Sequence, residues 1–279
     1  MTIIKGHPLA GWAVWRIKKN KNCIIVVNGQ TGSGKSYACL DLAINISEKL
    51  KTKFSIKDNL DFKFTKLLKK SMLPQNQKPG TVFVFEETGV MGGGGSSRDW
   101  QSRANKFFLS FLQTTRHRNQ VLIFNCPMFS FLDAGARSLV HMQIIMQRID
   151  FKNKKSYMKP YLIQSNQRTG KPYFKLLRFT IDGDRHKLVE QEASYPPKEM
   201  VKEYEAMKTN YTSELVKSIL EDEKKSDEKN KGAIVDNDMV EALLDKGFNT
   251  RDIADKLNVN IRTIQRHKNE LEAIKNPLM

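Results

Sequence analysis

Residues 23–36 read Cys23-Ile24-Ile25-Val26-Val27-Asn28-Gly29-Gln30-Thr31-Gly32-Ser33-Gly34-Lys35-Ser36. The first five are apolar and rich in β-branched side chains, the composition of a strand buried on both faces of a parallel sheet. Gly29 to Ser36 then give the pattern Gly-x-x-x-x-Gly-Lys-Ser. Beyond it, Cys39, Leu42, Ala43, Ile46 and Leu50 recur at helical spacing and define one apolar face over about four turns. A buried strand, a glycine loop and an amphipathic helix in this order make a phosphate-binding loop. Gly29 and Gly34 let the backbone approach an anion, and the N–H groups from Gln30, Thr31, Gly32 and Ser33 converge on it. Lys35 reaches the β- and γ-phosphates. Ser36 supplies a hydroxyl to magnesium and starts a helix whose positive end faces the phosphates. The ligand expected is a nucleoside triphosphate, ATP, with Mg2+.

Such a loop needs an acid at the end of a neighbouring strand to hold the metal and polarise water. Val82-Phe83-Val84-Phe85, introduced by Pro79-Gly80, is a buried strand that ends in Glu86-Glu87. Glu86 is assigned to magnesium, through its water shell, and Glu87 to the base or water-positioning role. The usual first acid is aspartate, and the extra methylene of Glu86 leaves the order of the two open. A third strand, Val121-Leu122-Ile123-Phe124, ends at Asn125, whose amide can reach the γ-phosphate and report its hydrolysis. Arg116, Arg118 and Arg137 are candidates to place charge on the γ-phosphate of a neighbouring subunit. For each the alternative is a surface arginine or a phosphate contact to DNA. His117 reads as a surface residue. Gly92 to Gly95, directly after the acids, predict a mobile loop that shifts with hydrolysis or touches a substrate strand, with a plain surface loop as the alternative.

Ile144-Ile145-Met146 is a fourth candidate strand, and Phe107, Phe108, Phe111 and Leu112 follow helical spacing. Strands alternating with helices predict an α/β P-loop NTPase fold with a mostly parallel sheet and helices on both faces. Tyr157–Ser165 and Tyr173–Ile181 read as strands joined by a turn at 166–171, a β-hairpin extension. Tyr195-Pro196-Pro197 opens a polar helix through Glu199, Tyr204 and Met207. Glu221 to Lys231 is a mixed charge run with no apolar residue, read as a solvated linker.

The segment after it predicts a small all-α module. Val240, Leu243, Leu244, Ile253, Ala254, Leu257, Val259, Ile261, Ile264 and Leu271 suffice for a three-helix core. Asn249 or Thr250 caps its second helix and Asn260 its third. The pattern resembles a helix-turn-helix of the homeodomain-like or sigma-factor-like kind, whose third helix would lie in the major groove. On that helix Arg262, Thr263, Gln265, Arg266 and Lys268 are read as exposed. Arg262, Gln265 and Arg266 suit base edges, and Lys268 suits phosphate. A helical protein-docking domain with the same core is the alternative. The division expected is residues 1–220 for the ATPase domain, 221–235 for the linker and 236–279 for the helix-turn-helix.

Composition agrees with a nucleic-acid partner. The 279 residues carry a net charge of +17, with a pI of about 9.7, which favours a polyanion. Cys23, Cys39 and Cys126 are odd in number and form no C-x-x-C pair, so structural zinc and a disulfide framework are not expected and a reducing cytosol fits. Residues 1–21 lack the long apolar core of a signal peptide, and no window approaches the roughly 20 apolar residues that cross a bilayer. A cytoplasmic protein with no membrane segment is expected.

Glu86-Glu87-Thr88-Gly89, then Arg98-Asp99-Trp100, Arg116-His117-Arg118, Asn125-Cys126-Pro127 and Arg137 occur in one order after the glycine loop. Together they resemble the FtsK/HerA-type translocase ATPases, in particular the small archaeal, viral and plasmid forms and the zonular-occludens-toxin-like ATPases of filamentous phages. The resemblance covers about residues 20 to 150, with an echo at Tyr195-Pro196-Pro197. Asn125 stands where the family usually has glutamine. The resemblance implies a homo-oligomeric ring, commonly a hexamer, acting on double-stranded DNA. The function expected is an ATP-driven DNA motor or DNA-processing ATPase of the translocation or packaging type. The alternative is a non-translocating, DNA-bound ATPase switch in replication, partition or regulation. A small-molecule kinase would leave the C-terminal module unexplained.

Overall fold

The computed structural model describes residues 7–86, 109–113, 115–166, 168–169, 171–181, 183–230, 236–257 and 259–275. The chain divides into two compact units between Thr209 and Asn210.

The first unit is α/β. The loop strand β1 (Cys23–Asn28) lies in a sheet with β2 (Leu60–Asp61), β3 (Val82–Phe85), β4 (Val121–Cys126) and β5 (Met142–Asp150). These five run parallel in the order β5-β1-β4-β3-β2. β6 (Lys155–Ser165) is antiparallel to β5, and β7 (Pro172–Leu176) and β10 (Gln191–Ser194) are antiparallel to β6. The mostly parallel sheet with an antiparallel hairpin extension is thus the observed architecture.

Burial explains the parallel core. β1, β3 and β4 are continuous apolar runs because both faces are covered. On one face Ile24, Val26, Phe83, Phe85, Leu122 and Phe124 join a core that includes Phe64 and Leu67 of α3 (Phe64–Ser71) and Ala136 of α4 (Ala134–Leu139). The other face is covered by α2 (Lys35–Leu50) and α1 (Pro8–Lys18). The alternation of a strand gives that face Ile25 and Val27. α1 was not anticipated from the sequence. Pro8 is pre-set for a first helical turn, and the His7 ring caps it, Nδ1 accepting from the Ala10 N–H at 3.2 Å. His7 Nε2 also lies 3.2 Å from Asp41 Oδ2 on α2.

The structure corrects three details. The strand ending in Glu86 does not adjoin the loop strand, because β4 lies between them and pairs with both. The expected strand 173–181 breaks at Leu177, which is buried and accepts from the Leu188 N–H at 2.8 Å. Beyond the break β8 (Arg178–Ile181) leaves the main sheet and pairs with β9 (Asp184–Lys187). The charged run from Glu221 to Asn230 is helical, since α5 spans Lys198–Asn230; residues 231–235 lie outside the described residues. Among the described residues no helix is long and apolar enough to cross a membrane.

The second unit closes three helices, α6 (Asn237–Asp245), α7 (Thr250–Lys256) and α8 (Ile261–Lys275), around Val240, Ile253, Ala254, Ile264 and Leu271. Asn249 caps α7, accepting from the Arg251 and Asp252 N–H groups at 2.9 Å each. Asn260 accepts from Arg262 N–H at 3.0 Å. Ile261, expected in the core, is 38% exposed at the first position of α8.

Candidate functional site

The glycine loop sits at the C-terminal end of β1. Gly34, with φ +83°, is the left-handed residue that turns the loop into α2, and it offers no side chain to cap the helix. The first-turn N–H groups are therefore left for an anion. Gly29 answers to a close approach instead: a Cβ there would stand 2.8 Å from Ser33 Oγ and 2.9 Å from Met146 Cβ. Gly29 N–H donates to Pro127 O at 3.2 Å, which ties the loop to the chain leaving β4.

Lys35 folds back over the loop, its ammonium donating to the carbonyls of Gly29 at 2.9 Å and Gln30 at 2.8 Å. Burial lowers its pKa, while the nearby Glu86 carboxylate acts in the opposite direction. Among the described residues its hydrogen bonds go to two neutral carbonyls.

Glu86 is fully buried at the end of β3, and its backbone N–H donates to Asp61 O at 3.0 Å. Three side chains donate to its Oε2: Ser36 Oγ at 3.1 Å, Asn125 Nδ2 at 2.6 Å and Tyr204 Oη at 3.3 Å. Asn125 Nδ2 also lies 3.1 Å from Ser36 Oγ. The strand order accounts for this geometry. Because β4 separates β1 from β3, Asn125 bridges the serine that opens α2 and the acid that ends β3. The structure therefore brings Lys35, Ser36, Glu86 and Asn125 together. Glu87 and the glycine loop at 92–95 lie outside the described residues.

The donor set fits a small hard cation: one hydroxyl and one carboxylate, 3.1 Å apart. Asn125 Oδ1 is buried with no protein partner among the described residues. Among them no group of three or more His, Cys, Asp or Glu side chains is placed to hold a metal ion. Ser36 and Glu86 could hold such an ion in part, with phosphate and water completing the shell, as Mg2+ prefers.

Above these residues lies a cleft of about 940 Å³. Its walls include Thr31, Tyr37, Phe151, Tyr195, Lys202 and Glu205. Tyr37 and Tyr195 meet edge to face with ring centroids 5.1 Å apart. Tyr37 Oη donates to Glu205 Oε1 at 2.9 Å, and burial together with that carboxylate pushes its phenol well up. Phe151 is 82% exposed at the rim.

The candidate arginines are elsewhere. Arg137 lies on α4, its Nη1 donating to Ser130 O at 3.3 Å, and it does not line this cleft. Arg116 and Arg118 precede the N-terminal end of β4, at the edge of the sheet opposite the loop. Asn125 stands four residues beyond Val121, the first of that strand, about 13 Å along it.

In the second unit Arg262, Gln265 and Arg266 share one exposed face of α8 with Asn269 and Glu270. Thr263 and Lys268, expected to be exposed, are half-buried. The reason is spacing, since both stand beside the buried stripe of Ile264 and Leu271. Arg266 and Lys268 reach Glu270 and Glu272 at 3.7 Å each.

No protein-family model matches the chain, and no curated protein matches it. Solved structures do. The N-terminal domain of zonular occludens toxin from Neisseria meningitidis is 15% identical, with a TM-score of 0.38 over 56% of this chain and 95% of that one. The genome-packaging NTPase B204 from Sulfolobus turreted icosahedral virus 2, solved with AMP, is 13% identical, with a TM-score of 0.37 over 56% of this chain and 96% of that one. The DNA-packaging ATPase B204 from Sulfolobus turreted icosahedral virus is 12% identical, with the same TM-score and coverage of 56% and 97%.

Two site residues escaped the sequence reading. Tyr204 was expected only as part of a polar helix, yet it is fully buried against Glu86 and Phe62. Tyr37 was passed over inside the loop helix. A large aromatic side chain in a run as polar as 198–208 is the one local signal that Tyr204 packs inward.

Proposed function

We propose that this chain is an ATP-hydrolysing DNA motor or DNA-processing ATPase. The observation that carries the reading is the convergence of Lys35, Ser36, Glu86 and Asn125 at the C-terminal ends of three adjacent strands, beneath a cleft large enough for a nucleotide. Magnesium, when bound, would offset charge on the phosphate oxygens. The loop from Gly29 to Ser33 would cradle the phosphates through its N–H groups. Lys35 would leave its two carbonyls for the β- and γ-oxygens. Ser36 and Glu86 would hold the metal, and Asn125, already bonded to both, would relay changes at the γ-phosphate to the acid. Glu87 is proposed as the base that orients water, and Glu87→Gln should retain ATP binding while turnover falls. Arg137 lies outside its own cleft, where a residue serving a neighbouring subunit belongs, and a homo-oligomeric ring is proposed on that basis.

The unit formed by α6, α7 and α8 is proposed as a helix-turn-helix that places Arg262, Gln265 and Arg266 against duplex DNA. Charge supports this, because the exposed face of α8 carries two arginines and one glutamate. The test is the ATPase rate without DNA, with short duplexes and with long duplexes. A motor predicts strong stimulation that grows with duplex length. Stimulation independent of length would instead indicate a DNA-bound switch. No ATP hydrolysis in any condition would defeat both readings.

A further inference from the structure

A second cleft of about 940 Å³ lies in the first unit, between α1 and the strands after β6. α1 contributes Trp12 and Trp15 to it. The opposite wall and rim carry Lys175 of β7, Arg178 of β8, Lys187 of β9, and Lys49 from the last turn of α2. All four cations are exposed, and none is ion-paired among the described residues. Among the described residues no aspartate or glutamate lines the cleft. Trp15 is 51% exposed, high for an indole on a helix whose other face is core. Trp12 is half-buried, and the Arg16 guanidinium lies 5.4 Å over its ring.

We infer that this cleft binds single-stranded nucleic acid, with the indoles stacking on bases and the four cations following the backbone. The argument rests on complementarity. Four cations with no acid between them among the described residues select a polyanion, and two indoles select one with exposed aromatic faces. Bases within a duplex stack on each other and present only edges and phosphates, so unpaired bases are the matching partner. The site is separate from the glycine-loop cleft. Lys49 and Lys35 stand 14 residues apart on α2, about 20 Å along the helix. The inference therefore does not depend on ATP binding.

The experiment uses the full chain carrying Trp100→Phe, so that Trp12 and Trp15 are the tryptophans left of three. Indole emission is followed while an oligodeoxythymidylate of about 12 nucleotides is added. Saturable quenching is expected, with affinity falling as salt rises. Trp15→Ala should weaken binding roughly tenfold at every salt concentration, which is about one base stack lost. Lys175→Gln with Arg178→Gln should weaken it more at low salt and reduce the salt slope by about 0.7 for each phosphate contact removed. All three positions are solvent-exposed, so the variants keep the core intact. Lys35→Ala should bind the oligonucleotide normally, so failure of the nucleotide site and failure of this one are separable. The inference is overturned if the oligonucleotide leaves the emission unchanged, if a duplex of equal length quenches equally, or if the double variant keeps its affinity. A change of particle size in Trp15→Ala without oligonucleotide binding would also overturn it, by assigning the cleft to a second copy of the chain.

Discussion

Tyr204→Phe removes one atom from the centre of the site. The hydroxyl lost donates to Glu86 Oε2 at 3.3 Å. Burial, and after it the Glu86 carboxylate, holds the phenol well above its ordinary pKa, so it is a donor at every working pH. A hydrogen bond to a charged acceptor contributes about 1.5–3 kcal/mol. This one is longer than the 2.7–2.8 Å typical of O–H···O bonds, which places it at the lower end, about 1–2 kcal/mol. The ring contacts survive, because Phe62 and Tyr37 lie against the aromatic ring at centroid distances of 6.2 and 6.3 Å. Tyr204→Ala, which also empties the ring's volume, should destabilise by about 3–5 kcal/mol. Urea unfolding of the three proteins reads these differences, with a midpoint shift of about 0.5 M for the Phe variant at a slope of about 3 kcal/mol/M. If Tyr204 also steers the acid, turnover in the Phe variant should fall by up to about tenfold, for a loss of about 1.4 kcal/mol in the transition state. A Phe variant as stable as wild type, with unchanged turnover and magnesium dependence, would refute the reasoning and leave Tyr204 a packing residue.

His141 sets a pH limit on the fold. Its Nδ1 accepts from the Ile24 N–H at 3.0 Å, and burial, then Arg16 and Lys21, lower its pKa from 6.5 to about 3. The folded state thus prefers the neutral ring: this contribution is complete above about pH 6.5 and is lost as pH falls toward 3, at about 1.4 kcal/mol per pH unit. His141→Gln should flatten the stability profile over that window relative to wild type, and parallel profiles would count against the assignment. Replacing Lys268 should weaken binding to all duplexes alike and reduce the salt slope by about one, read by titration at several salt concentrations. Arg266→Ala should cost about 1–3 kcal/mol at a preferred site and less elsewhere; equal losses on every sequence would make the module a tether. Mixing wild-type chains with Arg137→Ala should depress ATPase activity more than dilution does, and a strictly proportional loss would remove the role in a neighbouring subunit.

The glycine loop was legible because its chemistry is local. Strand, loop and helix are contiguous, and Lys35 and Ser36 follow from spacing alone. Glu86 and Asn125 were legible as polar residues ending apolar runs. That the two touch was not, because it depends on the order of strands, and β4 reaches its place between β1 and β3 only through pairing across the sheet. Tyr204 lies 118 residues from Glu86, and no periodicity announces such a contact. The break at Leu177 was hidden because Tyr173 to Ile181 holds no glycine, proline or other turn former, and the Leu188 N–H shows where pairing changes partner. α1 starts with His7 acting as a cap, an uncommon residue for that position. In the second unit spacing gives the core, while Ile261, apolar and one turn before the buried Ile264, is 38% exposed at the start of α8.

The central claim is that Lys35, Ser36, Glu86 and Asn125 hydrolyse ATP at the loop opened by Gly29. The most direct measurement is steady-state phosphate release with magnesium by wild type and by Lys35→Ala, each matched for circular dichroism and urea midpoint. Among the described residues Lys35 hydrogen-bonds to two loop carbonyls, so its loss should leave the fold intact. The account predicts turnover in the wild type and none above background in the variant. Turnover by Lys35→Ala at a near-native rate would contradict it.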